Sequence, residues 1–179
     1  RYFGASVAIS SSGILVGAPG PNGHNAGEAA YLFARNAGNW VQTDKETGGG
    51  DFGRSVAVDS LYGVIGSPDS NYASVYSIGY RSVTDTLRAS DQVSGEQFGA
   101  AVAISYSRFV VGAPKWTSPL NYAYQNDPSH SEQGRAFVFA RTDPPSAVPL
   151  GFDWVRVARL TADAGLPRAE AAREAGLEF

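Results

Sequence analysis

The sequence predicts an all-β protein made of three consecutive antiparallel units, and two features of the chain support this prediction. The first is composition: 21 glycines and 12% aromatic residues among 179 residues are typical of short strands joined by tight turns. The second is an internal repeat, in which a Phe-Gly pair precedes a Gly-Ala-Pro or Gly-Ser-Pro triplet. The glycine of the triplet follows the phenylalanine by 14 positions in each copy, at Phe3 and Gly17, Phe52 and Gly66, and Phe98 and Gly112.

Each unit contains four candidate strands in the same order. Small and apolar residues follow each Phe-Gly pair, and a tight turn separates them from a second run that ends at the triplet. A third run follows a loop of variable length, and the fourth begins near Trp40, near Val83 and at Trp154. Four strands in about 45 to 50 residues are typical of a β-propeller blade. We therefore predict one partial propeller domain over residues 1–179, with blades at roughly 1–51, 52–97 and 98–178.

The repeated motif is interpreted as a packing and strand-ending device. Strands covered on both faces are continuously apolar or small, as the first strand of each unit is. The phenylalanine would wedge between neighbouring blades, the glycine would allow close approach or positive φ, and the proline would end the strand. A sandwich with coincidental similarity is the alternative. The motif residues are Phe3, Gly4, Gly17, Pro19, Phe52, Gly53, Gly66, Pro68, Phe98, Gly99, Gly112 and Pro114.

These residues resemble the FG-GAP repeat family, which supplies the blades of the integrin α-subunit propeller and of many secreted or surface proteins. The pattern FG…VGAP is clear at Phe3–Pro19 and Phe98–Pro114, whereas Phe52–Pro68 ends in Gly-Ser-Pro. The resemblance implies a propeller of about seven blades, so we expect a segment completed by further blades or by partners. It also implies an extracellular or cell-surface protein with a role in adhesion or assembly.

Many members of that family carry a calcium loop of the form DxDxDG between the two halves of the motif, and this chain departs from it. The corresponding stretches are SSSG, DSLYG and SYSR, in which Asp59 is the one carboxylate. Calcium needs six to eight oxygen ligands, usually including several closely spaced carboxylates. We therefore predict no metal at these turns, a repeat of the type that lacks the calcium loop, and no cofactor.

Charge and composition disfavour several kinds of partner. A net charge of -3 offers no basic surface for nucleic acid or anionic membrane. No apolar run approaches the roughly 20 residues that cross a bilayer. The absence of cysteine removes disulfides, thiolate metal sites and cysteine nucleophiles. We expect neither nucleic-acid binding nor direct membrane insertion.

The candidate binding residues lie in an insertion of the third unit. KWTSPLNYAYQNDPSHSEQ follows its triplet, where the first unit has only GPNGHNA. Loops on a rigid scaffold often carry recognition, and aromatic side chains provide large contact areas. The predicted contacts are Trp116, Tyr122, Tyr124 and His130. The alternative is that the loop folds its aromatic residues onto its own blade. Two further insertions are read as a stiff excursion at 142–153 and a surface helix at 166–176.

Signals for catalysis are weak. His24 and His130 are the only histidines, and Asp127, Ser129 and His130 fall within one turn-like stretch rather than in the separated geometry of a triad. The three glycines at 48–50 lack the Lys-Ser/Thr and helix of a phosphate-binding loop. We therefore predict a non-catalytic protein that contacts other proteins. The alternatives are carbohydrate binding by the loop aromatics and, more weakly, a scaffold domain of a secreted enzyme.

Overall fold

The computed structural model describes residues 2–20, 27–106, 108–116, 134–141 and 154–160. Within these ranges the chain forms three antiparallel sheets of four strands each, so the all-β prediction is confirmed. Sheet 1 contains β1 (Ser6–Ile9), β2 (Ile14–Ala18), β3 (Glu28–Asn36) and β4 (Asn39–Gly48). Sheet 2 contains β5 (Val56–Val58), β6 (Tyr62–Ser67), β7 (Tyr72–Ser77) and β8 (Ser82–Leu87). Sheet 3 contains β9 (Ala101–Ser105), β10 (Arg108–Ala113), β11 (Arg135–Arg141) and β12 (Trp154–Leu160). The predicted excursion at 142–153 and helix at 166–176 lie outside the described residues.

The sequence repeat is also a repeat of strand register. The triplet glycine pairs with an alanine of the third strand in every sheet, as Gly17 with Ala30, Gly66 with Ala73 and Gly112 with Ala136. Because side chains alternate along a strand, this common register gives each sheet two equivalent faces. We call the face that carries the triplet glycine the back face. The front face carries the residue before it, which is Val16, Ile65 or Val111.

The sheets stack in chain order, the back face of one against the front face of the next. Between sheets 1 and 2, Leu15 and Leu32 meet Phe52, Ile65 and Tyr76 in one buried cluster. The larger cluster between sheets 2 and 3 joins Val64 and Val75 of sheet 2 to aromatic and aliphatic residues of sheet 3, namely Phe98, Phe109, Val111, Phe137 and Phe139. Burial of these side chains, worth roughly 1.5 to 3 kcal/mol each, is the main force holding the sheets together.

Glycine is required where the sheets approach most closely. A Cβ placed on Gly17 would overlap the carbonyl oxygen of Gly53, and a Cβ placed on Gly66 would overlap that of Gly99. The same carbonyls accept hydrogen bonds from the preceding sheet, from Ser6 Oγ to Gly53 O at 2.8 Å and from Ser55 Oγ to Gly99 O at 2.7 Å. The glycine of the Phe-Gly pair thus docks its backbone directly into the sheet before it.

A second side chain of the preceding sheet holds each Phe-Gly turn. Glu28 Oε2 accepts a hydrogen bond from the backbone N–H of Phe52 at 3.0 Å, and Asn71 Oδ1 accepts one from Phe98 at 3.2 Å. Glu28 and Asn71 occupy the same register position, two residues before the alanine that pairs with the triplet glycine. We call the serine and this acceptor the latch residues of a back face.

The first Phe-Gly pair lies at a surface. Phe3 is 59% exposed, whereas Phe52 is 2% and Phe98 is 0% exposed. No sheet precedes it among the described residues, so the expected wedge between two blades is made by the second and third phenylalanines alone. Phe3 instead rests on its own sheet, edge-on to Tyr31 with ring centroids 5.3 Å apart.

Candidate functional site

The Phe-Gly turns and the loops that follow the triplets lie at one end of the sheets, which we call the loop end. This follows from antiparallel pairing. The Phe-Gly turn leads into the first strand at the same end of the sheet at which the second strand ends in the triplet. At the loop end a cleft of about 510 Å³ opens between the repeats. Its lining includes the residue before each Phe-Gly pair and the neighbours of the turns: Tyr2, Asp51, Gln97, Arg54, Pro68 and Asp69.

The cleft is polar and its electrostatics centre on Asp51. The Asp51 carboxylate lies 3.7 Å from the guanidinium of Arg54 and is largely shielded from solvent. Burial raises the pKa of Asp51 above its ordinary value of 3.8; Arg54 lowers it, while Asp69 and Glu28 raise it further. Burial and the like charges raise the pKa more than Arg54 lowers it, so the ion pair with Arg54 compensates the negative charge of Asp51 only in part. The cleft therefore favours a group that adds positive charge or donates hydrogen bonds.

Replacing Asp51 by asparagine should stabilise the protein at neutral pH. Because the pKa of Asp51 is higher in the folded than in the unfolded chain, ionisation of Asp51 destabilises the folded state. This loss of stability grows as the pH rises from about 3.8 through the pKa of the folded state. The amide cannot ionise, and asparagine tolerates the left-handed φ of 66° at this position. We expect the melting temperature to rise by about 1 to 3 °C at pH 7 and to match wild type near pH 3. Asp69→Asn removes an exposed like charge that raises this pKa less than burial does, so it should raise the melting temperature by a smaller amount; an unchanged or lower value for Asp51→Asn at pH 7 would contradict this assignment.

Both ends of the insertion in the third unit lie at a buried cluster of Trp116, Arg135 and Glu96, which we call the anchor. The Arg135 guanidinium lies 4.5 Å from the ring centroid of Trp116 and bonds Glu96 at 2.5 Å. The side chains of Arg135 and Glu96 are both 0% exposed. Gly134 N–H donates to the carbonyl of Trp116 at 3.1 Å, which closes the base of the segment between them. Trp116 and Gly134, which flank residues 117–133, are therefore held together at the loop end.

A second ion pair extends the anchor towards solvent. Asp91 accepts hydrogen bonds from Arg135 at 2.7 Å and from Arg156 of β12 at 3.1 Å. Burial alone would raise the pKa of Asp91, but the hydrogen bond and charge of Arg135, helped by Arg156, hold the pKa below its ordinary value. Asp91 is thus ionised at neutral pH and ties the link between sheets 2 and 3 to the outer strand.

The four predicted contact residues are placed as follows. Trp116 is 6% exposed with the Arg135 guanidinium over its ring, so this side chain packs on its own blade, as in the alternative given for the insertion. Tyr122, Tyr124 and His130 lie outside the described residues. Contact with a partner stays a prediction for this insertion.

Sequence reasoning missed the residues of the cleft and the anchor. Asp51 and Gln97 stand immediately before a Phe-Gly pair and adopt φ values of 66° and 57°. The residue before the Phe-Gly pair differs in all three copies, and this variation next to a repeated motif is the signal that could have identified Asp51 and Gln97. Arg135 gave no such signal, because a charged residue at the start of a strand is usually exposed.

Asp59, the one carboxylate of the three turns opposite the loop end, is engaged in its own turn. Its Oδ1 accepts hydrogen bonds from the N–H groups of Leu61 and Tyr62, both at 2.8 Å. Within the described residues, no group of three or more histidine, cysteine or carboxylate side chains could hold a metal.

Removing divalent cations should leave the stability of the protein unchanged. A calcium site needs several convergent oxygen ligands, and the turn that holds Asp59 uses that carboxylate internally. Thermal melting curves with 5 mM EDTA and with added calcium, at about millimolar concentration, should therefore superimpose. A clear fall in melting temperature on chelation would show that a cation site exists.

None of the helices in the described part of the chain has the length and hydrophobicity of a membrane span.

Comparison with known proteins identifies one family. A model described as FG-GAP repeat matches residues 1–33 and 82–139, together just over half of the chain. No curated protein matches the chain. Among solved structures, the crystal structure of the computationally designed Ika4 protein is 12% identical, with a TM-score of 0.44, over 85% of this chain and 89% of that one.

Proposed function

Because this chain belongs to the FG-GAP repeat family, we propose that it is a non-catalytic β-propeller segment that binds other proteins through its loop end. The observation that carries the proposal is the convergence of features there. Turns from all three repeats line one polar cleft, and the residues that flank the long insertion of the third unit, Trp116 and Gly134, are held together next to the buried Arg135–Glu96 pair. Rigidly anchored loops at one end of a scaffold are the usual form of a recognition surface.

The proposed propeller is larger than the three sheets described. The front face of sheet 1 exposes Phe3, Val7 and Ile9 at 59%, 67% and 70%. Their counterparts in sheets 2 and 3 pack against a preceding sheet. Exposure of several apolar side chains on one face marks an interaction surface. This supports a further sheet on that face, supplied by another blade or by a partner; the number of about seven blades is what family membership suggests.

The proposal of a non-catalytic role is supported by the chemistry of the cleft. Its described lining residues offer two carboxylates, a guanidinium, an amide and the phenol of Tyr2, and they include no serine, cysteine or histidine that could form a nucleophile and base pair. Family membership favours an extracellular or cell-surface location and a role in adhesion or assembly.

The experiment is a binding measurement with a matched control at the opposite end. The tagged chain is used to capture partners from surface extracts, and each captured protein is purified and titrated against variants. Tyr122→Ala/Tyr124→Ala, in the insertion, should weaken binding at least tenfold. Tyr106→Ala removes an aromatic residue that is 88% exposed in the β9–β10 turn and should leave binding unchanged. The reverse result would place the binding surface at the opposite end.

Carbohydrate binding is the second candidate, and it loses support from the buried position of Trp116. A glycan array distinguishes the two functions. Binding of a defined glycan that disappears in Tyr122→Ala/Tyr124→Ala, without any protein partner, would favour the carbohydrate function.

A further inference from the structure

The three back faces are not equivalent in their latch residues. Sheet 1 carries Ser6 and Glu28, and sheet 2 carries Ser55 and Asn71; each of the four accepts or donates a hydrogen bond at the next Phe-Gly turn. At the same register positions sheet 3 carries Ala101 and Gly134. Neither residue has a polar side chain, so the back face of sheet 3 lacks both latch groups.

The rest of that face retains the repeat. Gly112 keeps the position of Gly17 and Gly66, and a Cβ placed on it would meet only atoms of Ala101, the nearest being its Cβ at 3.5 Å. Val110, at the position of the fully buried Leu15 and Val64, is 36% exposed. Sheet 3 could therefore accept a neighbouring sheet sterically, without the two hydrogen bonds that fix the other junctions.

The front face of sheet 1 is complete by the same comparison. Gly4 has a φ of 89°, as Gly53 has 88° and Gly99 has 97°, and its N–H donates to Gly17 O at 3.0 Å as theirs do to their own sheets. A Cβ placed on Gly4 would meet nothing within 4 Å. The first Phe-Gly turn is thus already in the docked conformation, with nothing docked on it among the described residues.

We infer that the front face of sheet 1 is a docking surface for the back face of a sheet of the same repeat type that carries latch residues. A serine hydroxyl of that partner would donate to Gly4 O, and an acidic or amide side chain would accept from Phe3 N–H. The third sheet of a second copy is not this partner, because it has neither group. Among the described residues the chain therefore presents two different terminal faces, and we expect it not to assemble head to tail with itself. This inference rests on the proposed propeller, but not on the loop end.

The test installs the missing latch on sheet 3 and measures self-association by sedimentation velocity. In Ala101→Ser/Gly134→Asn, asparagine enters a position with φ 65°, close to the 52° of Asn71, but its Cβ would lie only 3.0 Å from Pro114 O. Two added hydrogen bonds should tighten head-to-tail association by about 30-fold over wild type. Ala101→Ser alone changes one exposed residue and should give part of this effect. This single variant keeps the test informative if the double variant misfolds.

Adding Ile9→Lys to the double variant should return it to the monomer, because Ile9 lies on the front face and is 70% exposed. Association of both latch variants no stronger than wild type, in proteins with wild-type circular dichroism, would overturn the role of the latch residues. Equally tight association of wild type, abolished by Ile9→Lys, would show that sheet 3 is itself the partner. Loss of partner binding at the loop end would leave all these outcomes unaffected, so failures of the two proposals are distinguishable.

Discussion

Replacing Gly66 by alanine is expected to destabilise the protein by about 3 kcal/mol or more, or to prevent folding. The added Cβ would overlap the carbonyl oxygen of Gly99 and crowd Ser55 Oγ. Backbone cannot move aside as a flexible side chain can, so sheets 2 and 3 would have to separate. Separation would break the hydrogen bond from Ser55 and open the apolar cluster around Phe98. Urea denaturation of the purified variant measures the change in free energy of unfolding.

Gly112→Ala is the matched control, since it makes the same change at the same register position of sheet 3. Its Cβ would meet Ala101 Cβ at 3.5 Å, an ordinary contact. Alanine also reduces the entropy of the unfolded chain, so we expect a change within about 1 kcal/mol of zero. Equal destabilisation by the two substitutions would show that the glycine serves the strand itself rather than the contact between sheets.

Replacing Arg135 by methionine is expected to cost about 3 to 5 kcal/mol, because it leaves a buried carboxylate without its counter-charge. Glu96 is 0% exposed and Arg135 bonds it directly. The substitution also removes the guanidinium from the face of the Trp116 ring, which should loosen the base of the insertion. Thermal and urea unfolding would report the loss, and the intrinsic fluorescence, to which Trp116 contributes one of three tryptophans, would shift towards that of a solvated indole.

Two further variants separate the buried charge from the loss of packing. Glu96→Gln in the Arg135→Met background removes the uncompensated charge and should recover about half of the lost stability or more. Arg156→Met breaks one ion pair of Asp91, but Arg156 is 35% exposed, so the cost should stay below about 1 kcal/mol. An Arg135→Met protein as stable as wild type would show that the pair does not anchor the loop end.

The repeat spacing was sufficient to predict the sheets. Fourteen positions between Phe98 and Gly112 fix a hairpin of constant length, and a constant hairpin gives a constant register. Small residues at the triplet and after the Phe-Gly pair further indicated close packing of the sheets. Both signals are local, which is why the order and number of strands could be read from the sequence alone.

The candidate site could not be predicted in the same way, because its features depend on which sheet lies next to which. Trp116 sits in a polar loop sequence, yet its ring packs under the guanidinium of Arg135, which begins the neighbouring strand β11 only after the insertion. Ser6 and Ala101 differ by one oxygen atom, and only the position of Gly53 against Ser6 shows that this atom joins two sheets. Exposure of Phe3 likewise follows from the lack of a preceding sheet among the described residues, not from its own motif.

Disulfide formation between introduced cysteines tests most directly whether the repeats stack in chain order. The chain has no cysteine, so each pair reports alone. Ser12 Oγ donates to Ser60 O at 3.0 Å across the β1–β2 and β5–β6 turns, and Tyr106 occupies the position of Ser60 in sheet 3. Sheets pack about 10 Å apart, so the intervening sheet should keep residue 106 beyond the roughly 7 Å reach of a disulfide from residue 12. Under mild oxidation, Ser12→Cys/Ser60→Cys should close an intramolecular disulfide and Ser12→Cys/Tyr106→Cys should not. Failure of the first pair, or closure of both at similar rates, would contradict the stacking of sheets 1, 2 and 3 in that order.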